Sequence, residues 1–342
     1  MKFDVIIGNP PYQLKDGGGR GSSAKPIYHL FIEQAKKLNP RYLCMIIPAR
    51  WYSGGKGLDD FRNKMLADRR IKKLVDYEDS RDCFPGVDIA GGICYFLWQN
   101  DYDGICEVEN IRKSQKHVAL RFLDEYETFI RDNLAIRIVQ KVKENCDSFL
   151  DDVVSSRMPF GIPSNAPFDD DGDLNLITNS GRGKILSRRV TSGQDLINKW
   201  KVLLSKTSSD HAGQPGRDGK RRIFSRIEVM PPKTICTESY LVVGKYDTCL
   251  EAEHMVSYLK TKFCRFLASV ILLTQNITKD KFAFVPKLPM TKAWTDEELY
   301  KKYGLTQEEI DFIESMIRPM EVSSESDDSQ YEDETAVEEE TE

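Results

Sequence analysis

The sequence predicts an α/β protein: a mostly parallel sheet that ends in an antiparallel strand, followed by an α+β region. Three observations carry this. Short apolar runs alternate with helix-length amphipathic stretches through the first hundred residues, which is the mark of parallel β-α-β units with helices on both faces. The last two of those runs have no helical stretch between them, so an antiparallel pair is expected there. Over residues 155–220 the texture changes to short strand-like pieces in a background rich in Gly, Pro, Ser and Asp.

Residues 3–7 form a short β-rich run that ends in Gly8-Asn9-Pro10-Pro11. Ile27, Leu30, Phe31, Ala35 and Leu38 recur at helical spacing. Residues 42–47 are a second strand, closed by Pro48, and Leu58, Phe61, Met65 and Leu66 mark a second helix. Residues 71–75 and 89–98 are the third and fourth strands. A long helix is expected from 120 to 143, with Phe122, Tyr126, Phe129, Ile130, Leu134, Ile138 and Val142 on one side. Strand pieces follow at 174–178 and 201–204, then a helix over 251–273. A last helix opens on Thr306, where Glu309 three residues on makes a capping box. The spacing divides the chain into 1–115, a helical connector 116–150, a second domain 151–320 and a stretch 321–342 with too few apolar residues to fold.

The 342 residues suit about two domains, and their net charge of −5 is unevenly placed. Residues 321–342 hold 11 Asp/Glu and no Lys or Arg, which leaves a net charge of +6 over 1–320. The apolar run 266–273 falls far short of the roughly 20 residues a membrane helix needs. Eight cysteines without a C-x-x-C pair suit neither a zinc site nor a disulfide framework, and only four His are present. Reduced thiols, a cytoplasmic location and no metal are expected. The glycines Gly17, Gly18, Gly19 and Gly21, and Gly54, Gly55 and Gly57, lack phosphate-loop spacing. Asp169-Asp170-Asp171-Gly172-Asp173 lacks the distal Glu of a calcium loop.

The chemistry is concentrated in Asn9-Pro10-Pro11-Tyr12. In a parallel sheet, ligands bind outside the carboxyl ends of strands, where this corner must lie. Two prolines fix the backbone and remove two amide donors. That leaves the Asn9 side-chain oxygen and the Pro10 carbonyl as acceptors suited to an NH₂ group, with Tyr12 as a flat wall. The segment Phe3-Asp4-Val5-Ile6-Ile7-Gly8-Asn9-Pro10-Pro11-Tyr12 resembles the catalytic motif of amino-group DNA methyltransferases, which methylate adenine N6. The helix around Tyr28 and Phe31-Ile32-Glu33-Gln34-Ala35 and the strand Met45-Ile46-Ile47-Pro48 resemble that family too. So does the loop Cys83-Phe84-Pro85-Gly86-Val87, and residues 258–262 and 294–300 resemble the recognition region of restriction-modification methylases.

The resemblance implies a fold: the C-terminal half of a Rossmann-like methyltransferase sheet, with parallel strands and a terminal antiparallel strand, then an α+β target-recognition domain. It implies catalysis by Asn9, Pro10, Pro11 and Tyr12, and stacking of the flipped adenine between Tyr12 and Phe84. It implies S-adenosyl-L-methionine as cofactor and double-stranded DNA as partner. The family's cofactor half, a strand and Gly-rich loop ahead of this motif, finds no counterpart upstream of Asn9, so its binding residues are unknown. A second chain or an N-terminal region is expected to supply it, because residues 3–7 would otherwise form an exposed apolar edge. From Gly181 to Arg226 there are 12 Lys/Arg against three Asp, a field suited to phosphate contacts. Lys184, Arg188, Arg189, Lys220, Arg221 and Arg222 are its candidate DNA-binding residues, with Trp200, Tyr240 and Tyr246 near enough in sequence to stack. No nuclease motif is present, and a restriction subunit is a further candidate partner. The alternative is an inactive DNA-binding specificity module or a truncated fragment.

Overall fold

The computed structural model describes residues 3–14, 25–55, 57–89, 91–112, 115–126, 129–208, 219–272 and 275–320. The expectations for the Gly17–Gly21 stretch and for 321–342 fall outside them. The chain opens with β1 (Val5–Gly8), a two-stranded ribbon of β2 (Gln13–Leu14) and β3 (Lys25–Pro26), and α1 (Tyr28–Lys37). Next come β4 (Tyr42–Pro48), α2 (Asp59–Ala67), β5 (Ile71–Tyr77), β6 (Ile93–Gln99), β7 (Cys106–Arg112) and β8 (Gln115–Arg121). Six of these strands form one sheet in the order β1-β4-β6-β5-β7-β8. The β1/β4 and β5/β7 pairs are parallel, while β6 runs antiparallel to both of its neighbours. This is a mixed α/β fold with a parallel-strand component.

Local chemistry explains the connections. Helix α1 buries Tyr28, Ile32 and Ala35, one stripe at helical spacing, and carries Lys36 and Lys37 where the helix dipole favours cations. It ends because Asn39 adopts a left-handed φ of 50° ahead of Pro40, which cannot continue a helix. On the sheet, Leu43, Met45 and Ile47 share a face with Phe96, Trp98, Leu74 and Val108 by register, and all of these are buried under α1 and α2.

The opposite face has no helix over it among the described residues, which corrects the expectation of helices on both faces. Cys44, Ile46, Tyr95, Leu97 and Tyr77 are half-buried there, and Val5, Ile7, Val118 and Leu120 are 44–76% exposed. Two further expectations are corrected. The antiparallel strand expected over 89–98 is internal, as β6 between β4 and β5, and the antiparallel strand that ends the sheet is β8 instead; the charged Glu107, Glu109 and Lys116 hid β7 and β8 from an apolar-run reading. The helix expected over 120–143 begins only at Asn133. Residues 115–121 pair with β7 instead, and the Asp132 side chain caps α3 (Asn133–Glu144) by accepting from the Leu134 amide at 2.8 Å.

Helix α3 is no mere connector. Its Ile138, Val139 and Val142 are fully buried in the core of the second region, each contributing about 1.5–3 kcal/mol of burial. That region contains β9 (Leu174–Thr178), β10 (Gly181–Ile185), α4 (Gln194–Ile197), β11 (Trp200–Ser205), β12 (Ile227–Met230), β13 (Thr234–Cys236) and β14 (Tyr240–Tyr246). Two three-stranded sheets, β10-β9-β13 and β12-β11-β14, enclose Phe160, Leu176, Leu203, Met230, Ile235 and Val242. The helices α5 (Cys249–Lys260), α6 (Lys262–Ser269), α7 (Asp296–Lys302) and α8 (Gln307–Met316) complete the region. The helix expected over 251–273 breaks at Thr261, whose extended backbone and hydroxyl cap α6 through the Cys264 amide. The Thr306–Glu309 capping box is present.

Candidate active site

β1 delivers the corner to the carboxyl end of the sheet. A Cβ on Gly8 would stand 3.1 Å from the Met45 sulfur, so a small residue keeps β1 against β4. Asn9 and Pro11 are exposed, Pro10 is buried and Tyr12 is half-buried. The Tyr12 carbonyl accepts from the Ile27 amide at 3.1 Å, which ties the corner to the start of α1. Burial pushes the Tyr12 phenol above its usual range. The Asn9 side chain pulls it back, and the Cys83 and Cys94 thiols add to the rise. The Tyr12 hydroxyl is buried and has no hydrogen-bond partner among the described residues. Phe84, on the 79–92 loop, is half-buried.

The loop is closed on itself. Ser80 Oγ donates to the Val87 carbonyl and accepts from the Ile89 amide, both at 2.8 Å, and the Phe84 amide donates to the Ser80 carbonyl. Arg131 binds its root. The guanidinium holds Asp76 at 2.7 and 2.9 Å, the Tyr77 carbonyl at 2.9 Å and the Gly91 carbonyl at 2.8 Å. Asp76 raises the Arg131 pKa against the opposing effect of desolvation. Gly92 completes the neck with φ +76°, where a Cβ would meet the Tyr77 carbonyl at 2.2 Å and the Glu78 carbonyl at 2.4 Å. Beneath the neck, Trp51 Nε1 donates to Cys94 Sγ at 3.3 Å, and burial holds the Tyr52 phenol and the Cys94 thiol far toward their neutral forms. Sequence reasoning missed this neck. Arg131 and Asp76 are 55 residues apart, and neither sits in a local pattern that announces a partner.

The basic region is less uniform than its composition. Lys184, Arg188 and Arg222 are exposed. Arg189 is half-buried and committed to the Pro167 carbonyl and to Asp169 at 3.0 Å. Lys220 Nζ donates to the Glu314 carbonyl at 3.0 Å. Arg221 turns inward to Glu78 of the first sheet at 2.7 Å, a correction to its expected place on a DNA-facing surface: burial beside a carboxylate outweighs exposure here. Tyr240 is 5% exposed and its hydroxyl donates to the Thr178 carbonyl, so it offers no stacking face. The acidic cluster serves as turn scaffold: Asp169 accepts from the Leu186 amide and Asp173 from the Ser187 amide, which hold both carboxyls below their usual range. Among the described residues no group of three metal-ligating side chains occurs, and no helix is long and apolar enough to cross a membrane. A groove of about 710 Å³, lined by Lys36, Asp68, Arg70 and Tyr102, lies at the other end of the sheet from Asn9.

Residues 1–84 match the family model of the Eco57I restriction-modification methylase. An uncharacterized adenine-specific methylase of Mycoplasma pneumoniae is 51% identical over 106 residues, which cover 30% of this chain and 25% of that protein. The chain thus spans about a quarter of the length of the curated relative it matches. The likeness to both lies in the N-terminal part of the chain. The type IIG restriction endonuclease BpuSI aligns at TM-score 0.40 and 10% identity, over 89% of this chain and 49% of BpuSI. The type IIL restriction-modification enzyme MmeI, solved in complex with DNA, aligns at 0.41 and 9%, over 93% of this chain and 55% of MmeI.

Proposed function

We propose that this chain is the catalytic and recognition portion of a site-specific adenine-N6 DNA methyltransferase. The observation that carries the reading is the Asn9–Tyr12 corner at the carboxyl end of β1, with Asn9 exposed and Tyr12 half-buried. An exocyclic adenine amine is a weak nucleophile because its lone pair is delocalised into the ring. The Asn9 side-chain oxygen and the Pro10 carbonyl would each accept one of its N–H bonds. That stabilises the tetrahedral nitrogen of the transition state more than the planar ground state. Tyr12 and Phe84 would stack the extruded base, at ~1–3 kcal/mol per aromatic contact, against an unstacking cost of a few kcal/mol. S-adenosyl-L-methionine, when bound, would supply an electrophilic methyl group.

Among the described residues β1 pairs with β4 alone and its other edge carries no strand, so the described residues do not provide a cradle for that cofactor, and no further step is assigned to it. The unpaired edge of β1 and the helix-free face with exposed Val5 and Ile7 support a cofactor half supplied by another chain or an N-terminal region. Exposed Lys184, Arg188 and Arg222 are the proposed phosphate contacts to duplex DNA.

Expression in a methylation-deficient host, with and without a separate cofactor half, followed by nucleoside analysis of the genomic DNA, tests the proposal. N6-methyladenine that requires this chain is expected. Specific DNA binding with no methylated base, even with the cofactor half present, would favour an inactive specificity module.

A further inference from the structure

The carboxylate of Glu78 joins three segments that are remote in sequence. Glu78 is the first residue after β5 and stands at the root of the 79–92 loop. One oxygen pairs with Arg112 at the end of β7, 34 residues on, and the other takes Arg221 at 2.7 Å from 143 residues away. The pair with Arg221 is shielded, with side-chain exposures of 16% and 20%. Arg221 is itself held by its backbone: its amide donates to the Met316 carbonyl at 2.8 Å and its carbonyl accepts from Arg318 at 3.0 Å. The next residue, Arg222, is exposed, and its carbonyl accepts from the buried Arg265 at 3.3 Å. One short backbone segment therefore turns one arginine outward and the other onto the root of the Phe84 loop.

We propose that Glu78 is a positioning residue: through Arg221 it lets occupancy of the basic region set the posture of the loop that carries Phe84. The inference rests on the function proposed above for what the loop and the basic region bind. Its mechanical part needs only the contacts themselves. The loop is a closed unit, tied internally by Ser80 and at its neck by Arg131, so it moves about its root as one body. Glu78 lies at that root. A phosphate drawn to Arg222 acts on the same backbone segment whose Arg221 grips Glu78, so the load reaches the loop without any contact between DNA and the loop. A carboxylate shared by two guanidiniums is suited to this, because shielding from water strengthens both attractions.

Hydrogen exchange of the full chain, read on peptides spanning 79–92, tests the proposal. Without DNA, Glu78→Gln and Arg221→Gln should each speed loop exchange several-fold. Peptides from β11 and β14 should keep wild-type rates, and the double variant should be no faster than the faster single. Unchanged loop exchange in both singles, or an equal rise throughout the chain, overturns the proposal. With a saturating mixed-sequence duplex, the wild type should slow exchange across 79–92. Glu78→Gln should bind the duplex with the wild-type Kd yet show no slowing. Slowing that survives in Glu78→Gln also overturns the proposal. A wild type that binds no duplex removes the DNA reading instead, and the DNA-free comparison then decides the role of Glu78.

Discussion

Arg131→Met removes the cation from the neck of the Phe84 loop and leaves Asp76, 2% exposed, without its bidentate partner. Stranding one member of a buried pair costs about 3–5 kcal/mol. The Tyr77 and Gly91 carbonyls also lose charged donors at 2.9 and 2.8 Å. Water can reach Gly91, which is exposed, so the Asp76 penalty dominates. Against a total stability of about 5–15 kcal/mol for a domain, the variant should lose about a fifth of it or more. Urea denaturation followed by tryptophan fluorescence measures this, since Trp51 and Trp98 are buried in the first core. Asp76→Asn combined with Arg131→Met should recover at least 1 kcal/mol relative to Arg131→Met alone, because no unpaired charge is then left inside. A loss below 1 kcal/mol in Arg131→Met, or strict additivity in the double variant, would refute the reasoning.

Lys201 is fully buried, with the Lys199 and Pro231 carbonyls as its acceptors among the described residues, and desolvation lowers its pKa to about 8. Between that value and the ordinary lysine value the unfolded chain binds a proton that the folded chain lacks, so stability rises with pH across about 8–10.5. Relative to Lys201→Met, the wild type should gain about 3 kcal/mol over this window at ~1.4 kcal/mol per pH unit, read from urea melts at pH 7.5 and 10.5; parallel pH profiles would contradict it. Gly92→Ala and Gly86→Ala both place alanine at positive φ, but only at Gly92 does the Cβ meet backbone oxygens. The first should destabilise by at least 2 kcal/mol and the second by about 1 kcal/mol, as compared by thermal melts; equal losses would show that the neck has room to yield.

What was legible in the sequence was what repeats locally. The apolar runs at β4, β5 and β6 announced themselves because their buried face demands Leu, Ile and Phe, and the Thr306–Glu309 box because a cap is satisfied within three residues. The corner at Asn9 was legible because two prolines after a strand leave so few conformations. The misses share another cause. Strand β7 interleaves Glu107 and Glu109 with Val108 and Asn110, and β8 ends in Arg121, whose burial depends on Glu125 and on Asn133, far from any apolar pattern. The helix expected from residue 120 took Phe122 and Phe129 as one stripe. In the fold, Phe122 packs beneath Arg69 and Phe129 against Tyr52, on opposite sides of a turn. Composition also misled at Arg221: a run of three basic residues reads as one surface, yet pairing with Glu78 turns the middle one inward.

The most direct test of the central claim is methyl transfer from labelled S-adenosylmethionine to adenine-containing duplex DNA, with the cofactor half supplied, by the wild type and Asn9→Ala. Asn9 is exposed and fills no core position, so the variant should melt with the wild type. Loss of one acceptor aimed at the transition state should lower the rate about 10²–10³-fold with duplex affinity unchanged. Transfer to adenine at the wild-type rate in Asn9→Ala would contradict the account.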